Sequence, residues 1–91
     1  MKAIYKYPLV WGGTRVKLHE SFKVLKLATQ RGAPTLWCEV DTGTFNIEID
    51  IKMFATGESL PKDLVEWTYV DSLLMLEDSL VWHFYWRYAI D

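Results

Sequence analysis

From Phe45 to Phe54 the chain alternates apolar and polar residues, with Phe45, Ile47, Ile49, Ile51 and Met53 in one register and Asn46, Glu48, Asp50 and Lys52 in the other. Successive strand side chains point to opposite sides of the backbone, so the pattern predicts a β-strand with one core face and one solvated face. A second run, Thr35 to Asp41, places Leu36, Cys38 and Val40 on one side. Between the two lies Asp41-Thr42-Gly43-Thr44, whose glycine suits the positive φ of a tight turn. A two-residue loop at Thr42-Gly43 predicts a hairpin in which Val40 faces Phe45, Cys38 faces Ile47 and Leu36 faces Ile49. Trp37, Glu39, Asp41, Glu48 and Asp50 then share its outer side.

The same reading extends to both ends. Ile4 to Leu9 begins a short strand, and Pro8, which lacks an N–H, suits an edge or a strand end. Trp11-Gly12-Gly13-Thr14 is a turn, from which Arg15-Val16-Lys17-Leu18 returns as a second strand to make a terminal hairpin. Phe22 to Thr29 reads as a strand whose Lys23 and Lys26 break strict alternation, and a bulge near Leu25 brings both into solvent. Gln30 to Pro34 is a turn, Ala55 to Ser59 ends the alternating strand, and Pro61-Lys62-Asp63-Leu64 fits one helical turn opened by proline.

Beyond Trp67 two readings compete. Leu73, Leu76, Leu80 and Phe84 lie at near-helical spacing behind Asp71 and Ser72 as caps. Trp67 to Val70 and Leu80 to Trp86 are instead rich in aromatic and β-branched residues, with Glu77-Asp78-Ser79 as a turn, and this favours a strand pair. The expected fold is all-β or β-dominated, a small antiparallel sandwich or barrel of six or seven strands in one domain over residues 1–91, with a short helical turn near 60–66. The alternative is α+β with a C-terminal helix.

Composition adds a bias. The 91 residues are 51 % hydrophobic and 24 % charged, which excludes a disordered chain, and 15 % aromatic, which is more than a small core absorbs. Surface Trp and Tyr suit self-association or ligand stacking, so a homo-oligomer is expected. The net charge of −2 and scattered lysines argue against a nucleic-acid footprint. A single cysteine, no signal-peptide pattern at Met1 to Pro8 and no run of about 20 apolar residues point to a soluble cytoplasmic protein with no membrane partner.

Catalytic signals are sparse. His19, His83 and Cys38 do not stand at metal-ligand spacing, and the glycines form no phosphate loop or nucleophile elbow, so no metal, cofactor or catalytic residue is expected. Cys38 reads as a small buried hydrophobe and His83, between Trp82 and Phe84, as a partly exposed strand residue. Glu39, Asp41, Glu48 and Asp50 with Trp37 form a candidate partner-binding face, able to dock on a basic host protein or imitate nucleic acid. Tyr5, Lys6, Tyr7, Trp11, Arg15 and Lys17 interleave rings and cations, and Tyr5, Tyr7, Trp11, Arg15 and Lys17 are the candidate ligand-binding set for a nucleotide-like molecule. Trp82 to Tyr88 carries large side chains on both faces, so one face needs a helix, a second sheet or another subunit.

The opening Met1 to Leu9, the segment Gly32-Ala33-Pro34-Thr35-Leu36-Trp37-Cys38-Glu39-Val40-Asp41, Ala55-Thr56-Gly57 before Leu60-Pro61, and Leu80-Val81-Trp82-His83-Phe84 together resemble a family of small, uncharacterised bacteriophage-encoded proteins. The likeness covers nearly the whole chain, departing at Trp67 to Ser72 and in the tail Tyr85 to Asp91, and it transfers no catalytic residue. It implies a non-enzymatic phage accessory protein in the bacterial host cytoplasm. Such a protein binds and inhibits a host factor, foremost a defence factor, by sequestering a nucleotide messenger or blocking a host protein. A minor virion component is the remaining alternative.

Overall fold

The computed structural model describes residues 1–75 and 79–90. Seven strands account for most of them: β1 (Lys2–Pro8), β2 (Thr14–His19), β3 (Phe22–Gln30), β4 (Ala33–Asp41), β5 (Asn46–Ala55), β6 (Thr68–Met75) and β7 (Leu80–Tyr88), with one 3₁₀ turn at Leu64–Glu66 before β6. They form a three-stranded sheet, order β1-β4-β3, and a four-stranded sheet, order β2-β5-β7-β6, both antiparallel. The sheets pack as an open sandwich and do not close into a barrel. The all-β expectation therefore holds, and the C-terminal segment is the strand pair, not the helix. Of its expected turn, Glu77 and Asp78 lie outside the described residues.

Leu36, Cys38 and Val40 on β4 and Ile49, Ile51 and Met53 on β5 are buried as their alternation requires, and with Leu18, Leu27 and Phe84 they form the centre of the core. Yet β4 and β5 do not pair. β4 lies between β1 and β3, while β5 lies between β2 and β7. The Thr42-Gly43 connection is a corner that carries the chain from one sheet to the other. Asp41 Oδ1 accepts the N–H of Gly43 at 2.9 Å, and Gly43 does not take a positive φ. The β2–β3 link makes the opposite crossing beside it: Asp41 N donates to Ser21 O at 3.0 Å and Glu20 N to Phe45 O at 2.7 Å. Phe45, expected inside, precedes β5 at this corner and is 69 % exposed.

The expected terminal hairpin is corrected in the same way, since β1 pairs with β4 and β2 with β5, so Trp11 to Thr14 spans the two sheets. Pro8 does fall at the end of an edge strand. β3 and β4 form a true hairpin, with a register shift between Val24 and Lys26 that places the bulge at Leu25. Its two-residue turn is Arg31-Gly32, both at positive φ (52° and 80°), the geometry whose twist matches a right-twisted strand pair.

Candidate functional site

The outward face of the four-stranded sheet is set by register. Asp50 faces Arg87, Lys52 faces Tyr85 and Phe54 faces His83 across β5–β7, while Tyr69 faces Tyr85 and Ser72 faces His83 across β6–β7. Directly paired residues share a face, so these side chains form one surface. After β5, residues 56–67 fold back over it as a strap. Arg87 Nη1 holds Asp63 at 2.8 Å and Glu66 at 3.3 Å, and its guanidinium lies 4.4 Å from the ring centroid of Trp67. Lys52 Nζ approaches the same ring at 5.4 Å. Trp67, 7 % exposed, is thereby the apolar anchor of the strap, attracted by two cations on its ring face.

Beside the strap opens a cleft of about 290 Å³ lined by Phe54, Thr56, Glu58, Leu60, His83 and Tyr85. Phe54 and Tyr85 meet edge to face at 5.8 Å, and Tyr85 meets Tyr69 at 5.4 Å. A hydrogen-bonded chain runs along one wall: Thr56 Oγ1 to His83 Nε2 at 2.8 Å, His83 Nδ1 to Ser72 Oγ at 2.7 Å, and Ser72 Oγ to Tyr69 Oη at 2.6 Å. Neutral imidazole carries one donor and one acceptor. In one tautomer Thr56 donates to Nε2 and Nδ1 donates to Ser72; in the other the order reverses. The wall can thus present either a donor or an acceptor to a guest.

Residues 1–90 match the family described as a domain of unknown function, DUF7352. The chain belongs to this family. No curated protein and no solved structure matches it.

In this DUF7352 domain a hydroxyl within reach of an imidazole is also the pairing used to activate a nucleophile. Here, however, the second imidazole nitrogen meets the Ser72 hydroxyl, and Asp71 Oδ1 accepts from Ser72 N at 2.8 Å. A hydroxyl in that position stabilises an imidazolium far less than a carboxylate does. Hydroxyls on both ring nitrogens fix the orientation of the imidazole. Among the described residues no group of three or more His, Cys, Asp or Glu is placed to hold a metal ion.

The structure separates the residues singled out from sequence. Tyr5 and Tyr7 lie on the inward register of β1, opposite Cys38 and Leu36, with Tyr5 at 6.2 Å from the His19 ring. Trp11 sits in the crossing between sheets, its Nε1 donating to Gly32 O at 3.1 Å. Arg15 and Lys17 point outward from β2 on the other sheet, paired with Asp50 and Glu48. These five residues do not line one site. The acidic partner face is divided as well: Trp37, Glu39 and Asp41 face outward from the three-stranded sheet, Glu48 and Asp50 from the four-stranded one. The reason is the sandwich crossing between β4 and β5. Three of these carboxylates also gain a cation: Glu39 meets Lys2 at 3.6 Å, Asp41 meets the amino terminus at 3.3 Å and Asp50 meets Arg15 at 2.8 Å.

Cys38 is completely buried, and burial pushes its thiol up to about 11. Burial likewise raises Tyr7, with smaller contributions from Cys38 and Tyr5. Asp41 is held below the usual carboxylate range first by the Gly43 N–H and then by the amino terminus. Sequence reasoning missed Thr56, Ser72, Tyr69 and Tyr85. The available signal was His83 itself, a polar ring on the outward register between two inward aromatics.

Proposed function

We propose that the protein is a non-enzymatic binding protein whose ligand, a small molecule with a planar ring, seats in the His83 cleft. The observation that carries this reading is the convergence of Phe54 and Tyr85 with the Thr56–His83–Ser72–Tyr69 chain. Apolar ring surfaces beside a few convergent polar groups are the usual make-up of a small-molecule site. A nucleotide-like messenger is the ligand class favoured by the resemblance to phage proteins, which also supplies the setting: a phage accessory product that sequesters a host defence signal in the bacterial cytoplasm, working as a homo-oligomer.

The test is calorimetry and thermal shift with AMP, GMP, linear dinucleotides and cyclic dinucleotides. One class should bind and raise Tm by mass action, and His83→Ala and Thr56→Val should each weaken it roughly ten-fold while remaining folded, the loss of about one good hydrogen bond. Absence of binding at about 1 mM, a concentration at which even a weak site of about −4 kcal/mol half-fills, overturns the reading. Equal affinity of wild type and both variants does so too.

A further inference from the structure

The outward face of the three-stranded sheet gathers what the linear sequence scatters. Trp37 on the central strand β4 is flanked across the strands by Lys6 on β1 and Lys26 on β3. In the next row Glu39 lies between Ile4 and Lys23, and beyond it Lys2 faces Asp41. Lys26 reaches this face only because the bulge at Leu25 resets the alternation after Val24. Neighbouring strands stand about 4.8 Å apart, so the Lys6 and Lys26 backbones are roughly 10 Å apart with the indole between them.

This face carries Lys2, Lys6, Lys23 and Lys26 against Glu39 and Asp41, a local excess of two positive charges in a chain whose formal net charge is −2. Lys2 is engaged with Glu39, and Lys6 donates to Gln30 at 2.9 Å, a neutral partner that leaves its charge uncompensated. Lys23 and Lys26 make no ion pair with a described residue. On the opposite face of the sandwich Arg15 and Arg87 are bound to Asp50, Asp63 and Glu66, Lys52 lies over the Trp67 ring and Lys17 faces Glu48.

We propose that this face binds single-stranded nucleic acid, with Trp37 stacking on one base and Lys6, Lys23 and Lys26 meeting the adjoining phosphates. A partly exposed ring set among exposed lysines matches the two needs of such a strand, a stacking surface and backbone neutralisation. An acidic peptide uses the lysines but leaves the indole without a planar partner. A duplex keeps its bases stacked on one another, and a sheet face offers no helix or loop to enter its groove. The surface is separate from the His83 cleft, on the other side of the core.

Fluorescence anisotropy with labelled dT12 across a KCl series tests the assignment. Three neutralised phosphates give a slope of log K against log [KCl] of about −2 for a single strand. Trp37→Ala should weaken binding at least five-fold, the lower end of a base-stacking contribution, while Trp37→Phe retains most of it. Lys23→Glu with Lys26→Glu, both at exposed positions, should flatten the slope by more than one unit even if the Trp37 variants fold poorly. Wild-type affinity in Trp37→Ala, a slope near zero, tighter binding of a dT12·dA12 duplex, or binding of a polyglutamate peptide without dT12 binding each overturns it.

Discussion

Arg15 and Asp50 face one another across β2–β5 and close a two-pronged ion pair, Nε to Oδ1 at 2.8 Å and Nη2 to Oδ2 at 3.2 Å. The hydrogen bond from Arg15 is the main cause that holds the Asp50 carboxyl below its ordinary range, outweighing the opposing effect of burial, which ranks second, and the charges of Arg15, Arg87 and Lys52 each add less. A carboxyl depressed in the folded state stabilises the fold above its unfolded value of about 4, and that contribution is lost as pH falls through the folded value. Urea midpoints should be level from pH 8 to about 5 and fall below about 4. Asp50→Asn should cost about 1 kcal/mol at pH 7 and soften the acid limb. An acid limb identical to wild type would contradict the assignment.

Cys38 gives a second, chemical measurement. A thiol pushed up to about 11 and wholly buried has almost no thiolate at pH 8. The folded protein should resist Ellman's reagent for as long as it stays folded, then react in full once urea unfolds it. Rapid labelling of the native protein would mean that the β1–β4 interior opens locally.

Alternation revealed which residues face inward, but not which strand each lies beside. Leu36, Cys38 and Val40 meet the same core as Ile49, Ile51 and Met53 whether the two strands lie side by side or stack across a sandwich, so the hairpin reading satisfied the pattern and was still the wrong topology. A better signal was charge. Arg15-Val16-Lys17 reads against Asp50-Ile49-Glu48 with opposite charges aligned, and that is the pairing observed. The bulge at Leu25 was legible because two lysines could reach solvent no other way. The His83 cleft was not, since Thr56 and His83 are 27 residues apart and meet only because β5 pairs with β7, a pairing that Thr56 extends by donating its N–H to Val81 O at 3.1 Å.

The Arg31-Gly32 turn is locally strained at its first position. Arg31 holds φ 52°, a region costly for a residue with a long side chain and readily taken by asparagine. Arg31→Asn should raise stability by about 0.5 kcal/mol, seen as a small rise in Tm, and Gly32→Ala at φ 80° should lower it by about 1 kcal/mol. A fall in Tm for Arg31→Asn would mean the arginine makes a compensating contact.

Phe84 is the largest fully buried side chain, 1 % exposed on the interior strand β7. Phe84→Ala should cost about 3–5 kcal/mol, enough to leave a domain of this size partly unfolded at 37 °C by circular dichroism. Phe84→Leu should cost well under half as much. Equal costs would show that the cavity collapses.

The placement of β7 between β5 and β6 dictates an order of events during synthesis. β5 waits for a neighbour that follows it by more than twenty residues, and the four-stranded sheet cannot be completed until the ribosome has released residues up to Tyr88. Until then the β5 edge is an open template for any other extended chain. The β3–β4 hairpin, joined by two residues, can form while the remainder is still being translated. The β1–β4, β2–β5 and β5–β7 pairings close long loops, which places the protein among slow folders, on the order of milliseconds to seconds.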